Sequence, residues 1–169
     1  MSEPPSAEAI IEQLKRSKVE FVASVPDKMT ACLTDLVERD PSFRYIPLCK
    51  EDEGVSICSA LFFADRRAVL VMQHTGFLDS INSIQGAATD FRQPIVMIIG
   101  LLNKEPGVEP KQSKRVGVSL IVPLLEILRI PHVLVEARGD EAQIARLVEE
   151  AYSTSNPIAI LIGREVGLS

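Results

Sequence analysis

Apolar and polar residues alternate along the chain in blocks that predict strands and helices in turn. Residues 69–72 and 95–99 are apolar at every position, which is typical of parallel strands that are covered by helices on both faces. Elsewhere in the chain, apolar residues recur at helical spacing, as Ile10, Ile11 and Leu14 do. The pattern therefore predicts an α/β fold.

Six strands and about six helices follow from this pattern. The predicted strands are residues 19–24, 45–48, 68–73, 95–100, 132–136 and 157–162. The predicted helices are residues 6–17, 29–39, 54–64, 80–90, 122–128 and 140–152. Short connections between parallel strands require right-handed crossovers, so we expect a doubly wound, mainly parallel sheet with helices on both faces.

Residues 101–117 interrupt the alternation with a long loop that is rich in proline, glycine and basic residues. A loop of this length in a compact domain is usually functional or disordered. The basic part of this loop, residues 104–115, could be a lid that closes over an anionic substrate, or it could be an ordinary solvated loop. The basic residues are Lys104, Lys111, Lys114 and Arg115.

Composition narrows the classes of function. At 169 residues and 46% hydrophobic content, the chain can bury a full core, and we expect one domain over residues 1–169. A net charge of −5 with interspersed signs offers no basic face for nucleic acid and no polybasic membrane anchor. No apolar run approaches the roughly 20 residues of a membrane-spanning helix, and residues 1–5 do not resemble a signal peptide. We therefore expect a cytoplasmic protein that binds a small molecule or a partner protein.

Cysteine usage and short motifs exclude several kinds of site. The three cysteines, Cys32, Cys49 and Cys58, lack C-x-x-C spacing and indicate neither a disulfide framework nor a zinc site, so we expect reduced thiols in the core. The G-x-G-x-x-G, Walker, H-E-x-x-H and G-x-S-x-G motifs are absent from the sequence. Nicotinamide binding, nucleotide hydrolysis, metalloprotease and serine hydrolase activity therefore lack their defining residues, and no metal site is predicted on this chain.

Candidate chemistry begins with an acidic triplet, Glu51, Asp52 and Glu53, between a predicted strand and a predicted helix. Carboxylates at this position commonly cap a helix and complement its positive end, which is the ordinary interpretation. At the carboxyl end of a strand they could instead hold a protonated ring nitrogen of a bound heterocycle, where burial would raise the pKa of the acid and suit it to proton transfer. The residues alone leave both interpretations open.

A second polar segment, Gln73, His74, Thr75 and Gly76, follows the next strand along the chain. Glycine permits the backbone to approach a ligand closely, although an ordinary strand-to-helix connection accounts for the pattern as well. A lone histidine is weak support for acid–base chemistry. Because the carboxyl ends of parallel strands share one edge of the sheet, we expect both polar segments to converge on one crevice.

Four segments, taken in order, resemble a known family. They are residues 21–27, 50–58, 71–82 and 124–131, and the resemblance extends over essentially the whole chain. The sequence is similar to the pyrimidine-binding part of the thiamine diphosphate enzymes, in the branch that contains sulfopyruvate and phosphonopyruvate decarboxylases. The resemblance implies a thiamine diphosphate-dependent decarboxylase that acts on a short anionic 2-oxo acid.

The catalytic glutamate of that family maps onto the acidic triplet. In the family this glutamate binds the pyrimidine ring nitrogen and promotes proton removal from the thiazolium, and the cofactor is the electron sink while carbon dioxide leaves. Counting back from Phe62 places the glutamate at Asp52, with Glu51 and Glu53 on either side. An aspartate is one methylene shorter, so the resemblance implies a role for one of the three without deciding which. His74 stands where close relatives carry asparagine, which makes it a candidate proton donor or specificity contact.

The resemblance also implies binding residues. The implied catalytic residues are Asp52, Glu53, Glu51 and His74. The implied cofactor-binding residues are Glu53, Gln73, Thr75, Gly76 and Asn82. The implied substrate-binding residues are Ser24, Pro26, Asp27 and Lys28. Among these, the Lys28 ammonium would attract the anionic group of the substrate.

A partner chain is implied because family members bind the diphosphate and Mg²⁺ through a Gly-Asp-Gly motif, which this sequence lacks. We expect a beta subunit of similar size to supply the Mg²⁺ ligands, in a hetero-oligomer with at least two copies of each chain. Two alternatives remain open at this point. One is a non-catalytic scaffold or regulatory subunit that keeps the fold but has lost the acid, and the other is a monomeric flavodoxin-like ligand-binding module.

Overall fold

A six-stranded parallel sheet forms the centre of the protein, in a computed structural model that describes residues 3–168. The strands are β1 (Phe21–Ser24), β2 (Arg44–Pro47), β3 (Ala68–Gln73), β4 (Val96–Gly100), β5 (His132–Val135) and β6 (Ile158–Ile162). Their order across the sheet is β2-β1-β3-β4-β6-β5, and every neighbouring pair is parallel. The predicted six-stranded α/β fold is confirmed.

Helices cover both faces of this sheet. They are α1 (Ala7–Arg16), α2 (Ala31–Arg39), α3 (Glu51–Phe63), α4 (His74–Asp79), α5 (Ile81–Ser83), α6 (Val116–Ser119), α7 (Ile121–Ile127) and α8 (Ile144–Thr154). A π-helix spans Ile84–Asp90, and short 3₁₀ helices span Lys28–Thr30, Pro110–Gln112 and Asp140–Gln143. None of the helices within residues 3–168 is both long and apolar enough to cross a membrane.

Two apolar layers explain why the strands are apolar at successive positions. On one face, α1, α2 and α8 pack against strand residues that include Val69 and Val71. On the other face, α3, α4 and α7 pack against Leu70 and Met72. Because successive side chains of a strand point to opposite faces, the fully buried strand β3 needs an apolar residue at each of these positions.

The acidic triplet and residues 74–76 lie in first turns of helices rather than in loops, which corrects two predicted helix starts. The helix predicted from residue 54 begins at Glu51, and the helix predicted from residue 80 is preceded by α4, which begins at His74. Lys50 and Gln73 are the extended residues before these helices. Acidic side chains complement the positive end of a helix, so the acidic triplet is compatible with helical backbone.

The long loop is partly helical and is anchored to the rest of the domain. Lys104 is fully buried at its side chain, and its Nζ lies 2.6 Å from a Glu136 carboxylate oxygen just after β5. The exposed Lys111 ammonium lies 2.5 Å from Glu126 in α7. Two of the four basic residues of the loop therefore neutralise carboxylates of this chain.

The cysteines differ in burial, and the expectation that all three are core thiols is wrong. Cys58 lies on the buried face of α3, and this burial raises the pKa of its thiol to about 12. Cys32 is only partly buried, and Cys49 is exposed at the end of the segment that enters α3. All three are free thiols.

Candidate functional site

The chain connections open a crevice at the carboxyl ends of β1 and β3. From β1 the chain passes to the edge strand β2 on one side, and then crosses to β3 on the other side. The segments that follow β1 and β3 therefore diverge, and ligands of open α/β sheets bind at such a point. The start of α3 lies at the same edge, so the acidic triplet and the segment that follows β3 share one edge of the sheet, although the His74 side chain is buried.

A buried carboxylate links the two sides of the crevice. Asp27 is 7% exposed and accepts hydrogen bonds from Gln73 Nε2 at 2.7 Å and from Thr30 Oγ1 at 3.3 Å. The Gln73 side-chain oxygen accepts a hydrogen bond from the exposed Thr75 hydroxyl at 3.0 Å. The structure thus joins one predicted substrate residue to two predicted cofactor residues in a single network. Such a network fixes the orientation of the Gln73 amide.

Thr30 belongs to this network although the sequence analysis did not select it. It is fully buried in the 3₁₀ turn Lys28–Thr30, one turn after Asp27. A polar residue placed one turn after a candidate acid is the signal that could have indicated it. Gly100 at the end of β4 completes the enclosure, because a Cβ atom there would lie 2.7 Å from Asp27 Oδ2.

The first acid of the triplet, Glu51, is directed at α4. Its half-buried side chain lies so close to Gly76 that a Cβ atom at Gly76 would overlap the Glu51 carboxyl group. Gly76 therefore leaves the space that the Glu51 carboxyl group occupies, within the first turn of α4.

The other two acids have different partners. Asp52 is partly buried and forms an ion pair with Lys50 at 3.2 Å. Lys50 also pairs with Asp79 at 3.1 Å, and hydrogen bonds to Asp79 and Asp52 raise the pKa of the Lys50 ammonium. Glu53 is exposed, and its carboxylate accepts only a long hydrogen bond of 3.3 Å from the Cys49 amide. Within residues 3–168, Glu53 is exposed and forms no ion pair, and neither Glu51 nor Asp52 meets both conditions.

Substituting alanine for Gly76 is expected to expel the Glu51 side chain into solvent. The flexible glutamate can move, and alanine is the better helix former by about 1 kcal/mol, so the free energy of unfolding should change by no more than about 1 kcal/mol in either direction. Chemical denaturation of Gly76→Ala and the wild type measures this change. A loss of several kcal/mol would contradict the expected ease of displacing Glu51.

His74 is buried beneath α6 and is not an exposed loop histidine. It is 8% exposed, and a Cβ atom at Gly117 would lie 3.1 Å from its Nε2 atom. Burial lowers the pKa of His74, while the Gly100 backbone and the Asp27 charge act in the opposite direction. Its Nδ1 atom has no hydrogen-bond partner within the described residues. The lowered pKa favours the neutral imidazole in the folded chain, and the role of His74 as a proton donor or specificity contact stays a prediction.

This pKa shift makes the stability of the fold depend on pH. The unfolded chain binds a proton at His74 more readily than the folded chain, so stability should be lost as the pH falls from about 6.5 towards the lower folded pKa. We expect the free energy of unfolding of His74→Gln to decline less than that of the wild type between pH 7.5 and 5. Urea denaturation at several pH values measures the difference, and parallel curves would contradict this expectation.

The remaining predicted residues are more dispersed. Ser24 is fully buried, and its hydroxyl donates to the backbone carbonyl of the next residue at 3.0 Å. Pro26 and Lys28 are exposed, and the Lys28 ammonium lies 3.7 Å from Glu165. Asn82 is exposed on α5. The structure therefore brings Asp27 together with Gln73 and Thr75 and places Glu51 against Gly76, but it does not place the Ser24 hydroxyl at the open surface of the crevice.

An exposed stripe on α3 begins at the crevice. The stripe consists of Ser56, Ala60 and Phe63, which follow Glu53 along one side of the helix, and Phe63 is 77% exposed. An exposed aromatic side chain such as Phe63 is typical of a surface that another protein covers, because aromatic residues are enriched at protein interfaces. The sequence alone did not indicate this stripe, because α3 carries apolar residues on both faces and so lacks the one-sided pattern that separates a buried helix face from an exposed one.

The polar groups at the crevice fit the aminopyrimidine ring that the resemblance implies. Glu53 offers an accessible carboxylate for a ring nitrogen, and Gln73 and Thr75, in the segment that follows β3, offer an amide and a hydroxyl. The described residues contain no group of three or more histidine, cysteine, aspartate or glutamate side chains that could hold a metal ion.

Comparison with known proteins agrees with this geometry. The chain is 28% identical to sulfopyruvate decarboxylase subunit alpha of Methanococcus maripaludis over 162 residues, which is 93% of each chain. It is 26% identical to the protein of the same name from Methanothermobacter thermautotrophicus over 159 residues, 93% of this chain and 94% of the relative. Residues 6–105 match the family model described as thiamine pyrophosphate enzyme, N-terminal TPP binding domain. The chain therefore belongs to the thiamine pyrophosphate enzymes and carries their N-terminal, cofactor-binding domain.

Proposed function

We propose that this chain is the pyrimidine-binding, alpha-type subunit of a thiamine diphosphate-dependent decarboxylase. Its substrate would be sulfopyruvate or a similar short anionic 2-oxo acid such as phosphonopyruvate. The observation that carries the proposal is the similarity over at least 90% of the chain to three alpha subunits of sulfopyruvate decarboxylase. The crevice geometry supports it, because the candidate acid, amide and hydroxyl groups lie at one edge of the sheet.

Within the triplet, Glu53 is the acid that we assign to the pyrimidine ring nitrogen. The ring must approach from outside this chain if a partner holds the diphosphate, so its acid must be accessible. Glu53 is exposed, whereas Glu51 packs on Gly76 and Asp52 pairs with Lys50. A glutamate at this position also restores the side-chain length that Asp52 lacks.

The other crevice residues orient the ring and its surroundings. When bound, thiamine diphosphate supplies the electron sink for loss of carbon dioxide from the substrate. Asp27 fixes the Gln73 amide, and Gln73 in turn orients the Thr75 hydroxyl towards the crevice edge. With the cofactor bound, the Glu53 carboxyl group in the first turn of α3 would hold and return the proton of the ring nitrogen.

A beta subunit would supply the groups that this chain lacks. We propose that it provides the ligands of Mg²⁺ and the diphosphate, and that it docks on the α3 stripe beside Glu53. The exposed Phe63 supports this placement, since a solvated aromatic side chain gains most when a partner buries it. A shared site of this kind requires at least one copy of each chain, and we propose a hetero-oligomer with at least two copies of each.

The proposal is tested by turnover of a reconstituted complex. The chain is mixed with its beta subunit, thiamine diphosphate and Mg²⁺, and carbon dioxide release is measured with sulfopyruvate, phosphonopyruvate and pyruvate. We expect the highest kcat/KM with one of the two dianionic substrates. A verified, cofactor-loaded complex that decarboxylates none of the three would contradict the proposal and would favour a non-catalytic subunit.

A further inference from the structure

The crevice carries negative charge that an anionic substrate must overcome. Asp27 and the acidic triplet contribute four carboxyl groups to this edge of the sheet. A 2-oxo acid with a sulfonate or phosphonate group brings two further anionic groups. Like charges at short distance repel one another, so binding requires a cation near the crevice.

Most cations at this edge already neutralise carboxylates of the chain. The ion pairs are Lys28 with Glu165, Lys50 with Asp52 and Asp79, Lys104 with Glu136, Lys111 with Glu126, and Arg138 with Glu3. Arg164 is also engaged by other groups, and Lys114 lies near Glu105, whose pKa it helps to lower. Lys28, the cation that the resemblance implied, is thus directed towards β6 rather than held free at the crevice.

Arg115 differs from these residues. It is exposed, and it forms no ion pair with a carboxylate in the part of the chain that the structure describes. Two residues further on, Gly117 packs against the ring of His74, the first residue of α4. Arg115, the residue before α6, therefore lies near the first turn of α4, which carries Thr75 and Gly76 of the crevice.

The backbone around Arg115 is held in place although its side chain is exposed. The Arg115 amide donates to Ser113 Oγ at 3.1 Å, and the Ser113 hydroxyl donates to Glu105 at 2.7 Å. The Arg115 carbonyl accepts a hydrogen bond from the Ser119 amide at 2.9 Å. A long cationic side chain on a fixed backbone can reach a ligand without ordering the whole loop, which lowers the entropic cost of binding.

We propose that Arg115 binds the second anionic group of the substrate, the sulfonate or phosphonate, and thereby selects acidic 2-oxo acids over pyruvate. This inference rests on the proposed function, since it concerns the substrate of the same site. The planar guanidinium presents paired N–H donors that match two oxygens of such a group. Arg115 is a specificity residue, because the reaction at the keto carbon does not require it.

The test uses the reconstituted complex with Arg115→Gln and with Arg115→Lys. Steady-state kinetics compare sulfopyruvate and phosphonopyruvate with pyruvate, which lacks the second anionic group. Calorimetry measures binding of 3-sulfopropanoate, which has both acid groups but no keto group and is not turned over. Arg16→Gln, at the opposite edge of the sheet, is the control for net charge, and Lys111→Gln is the control for the same loop.

We expect Arg115→Gln to raise KM for the preferred dianionic substrate and to weaken 3-sulfopropanoate binding, each by roughly 10- to 100-fold, with pyruvate turnover unchanged. Arg115→Lys should retain part of the affinity, and both controls should match the wild type. Unchanged analogue binding in Arg115→Gln, an equal loss for pyruvate, or no analogue binding by the wild type would overturn the inference. Absence of turnover with every substrate would instead contradict the proposed function, and the analogue titration would still decide the role of Arg115.

Discussion

Replacing Glu53 with glutamine is expected to lower kcat of the reconstituted complex by about 10²- to 10⁴-fold, which is the usual contribution of one positioned proton-transfer group. Glutamine preserves the size of the side chain but cannot hold and return the proton of a ring nitrogen. Because Glu53 is exposed and accepts only one long hydrogen bond, the fold should tolerate the change. Steady-state decarboxylation and thermal unfolding, measured on the same preparation, check both parts of this expectation.

The neighbouring acids provide matched controls. Glu51→Gln and Asp52→Asn remove the same charge from the same helical turn, yet we expect both to retain most of the turnover. Glu53→Asp shortens the acid by one methylene, and a displacement of about 1 Å is expected to cost on the order of 100-fold. Full activity of Glu53→Gln, or the largest loss at Glu51 or Asp52, would reassign the acid within the triplet.

Replacing Phe63 with arginine should weaken assembly with the beta subunit by about 30- to 1000-fold. This range corresponds to the roughly 2 to 4 kcal/mol that a well-buried aromatic residue contributes to a protein interface. Phe63 is 77% exposed in the isolated chain, so the substitution should not affect folding. Sedimentation equilibrium or calorimetric titration with the beta subunit measures the change in Kd.

A second exposed apolar residue tests whether this effect is local. Ile127 at the end of α7 is 74% exposed and does not belong to the α3 stripe. We expect Ile127→Arg to bind the beta subunit with the affinity of the wild type. Equal weakening by both variants would show that the α3 stripe is not the specific docking surface, and no weakening by Phe63→Arg would remove it from the interface.

The sheet was predictable because its strands leave a strong signal in the sequence. Buried parallel strands such as β3 and β4 must be apolar on both faces, and Pro94 and Gly100 mark the two ends of β4. The resemblance to the thiamine diphosphate enzymes is likewise confirmed, by a family match over residues 6–105. Both results depend on features that extend over many residues and tolerate individual exceptions.

The differences between the three acids were not predictable from the sequence. Three adjacent carboxylates have the same local pattern, and what separates them are contacts with Gly76 and Lys50, which depend on the start of α3 and the position of α4. Helix starts are difficult to locate because polar residues suit both turns and first helical turns. The local sequence therefore indicated where acids would gather but not which one would remain accessible.

The burial of His74 also depends on long-range packing. Gly117 lies against its ring, although 43 positions separate the two residues in the sequence. The segment around Gly117 was predicted as loop, but it forms α6, a short helix that α7 follows directly. Pro123 has no N–H to donate to the carbonyl of Ser119, which accounts for the interruption between the two helices.

The most direct measurement of the central claim is a titration of this chain with its beta subunit, in which carbon dioxide release from sulfopyruvate is followed at saturating thiamine diphosphate and Mg²⁺. We expect no turnover with either chain alone, and a rate that rises in proportion to added beta subunit until the two are equimolar. Full activity of the beta subunit by itself, or silence of the mixture despite demonstrated assembly, would contradict the claim that this chain supplies half of a shared active site.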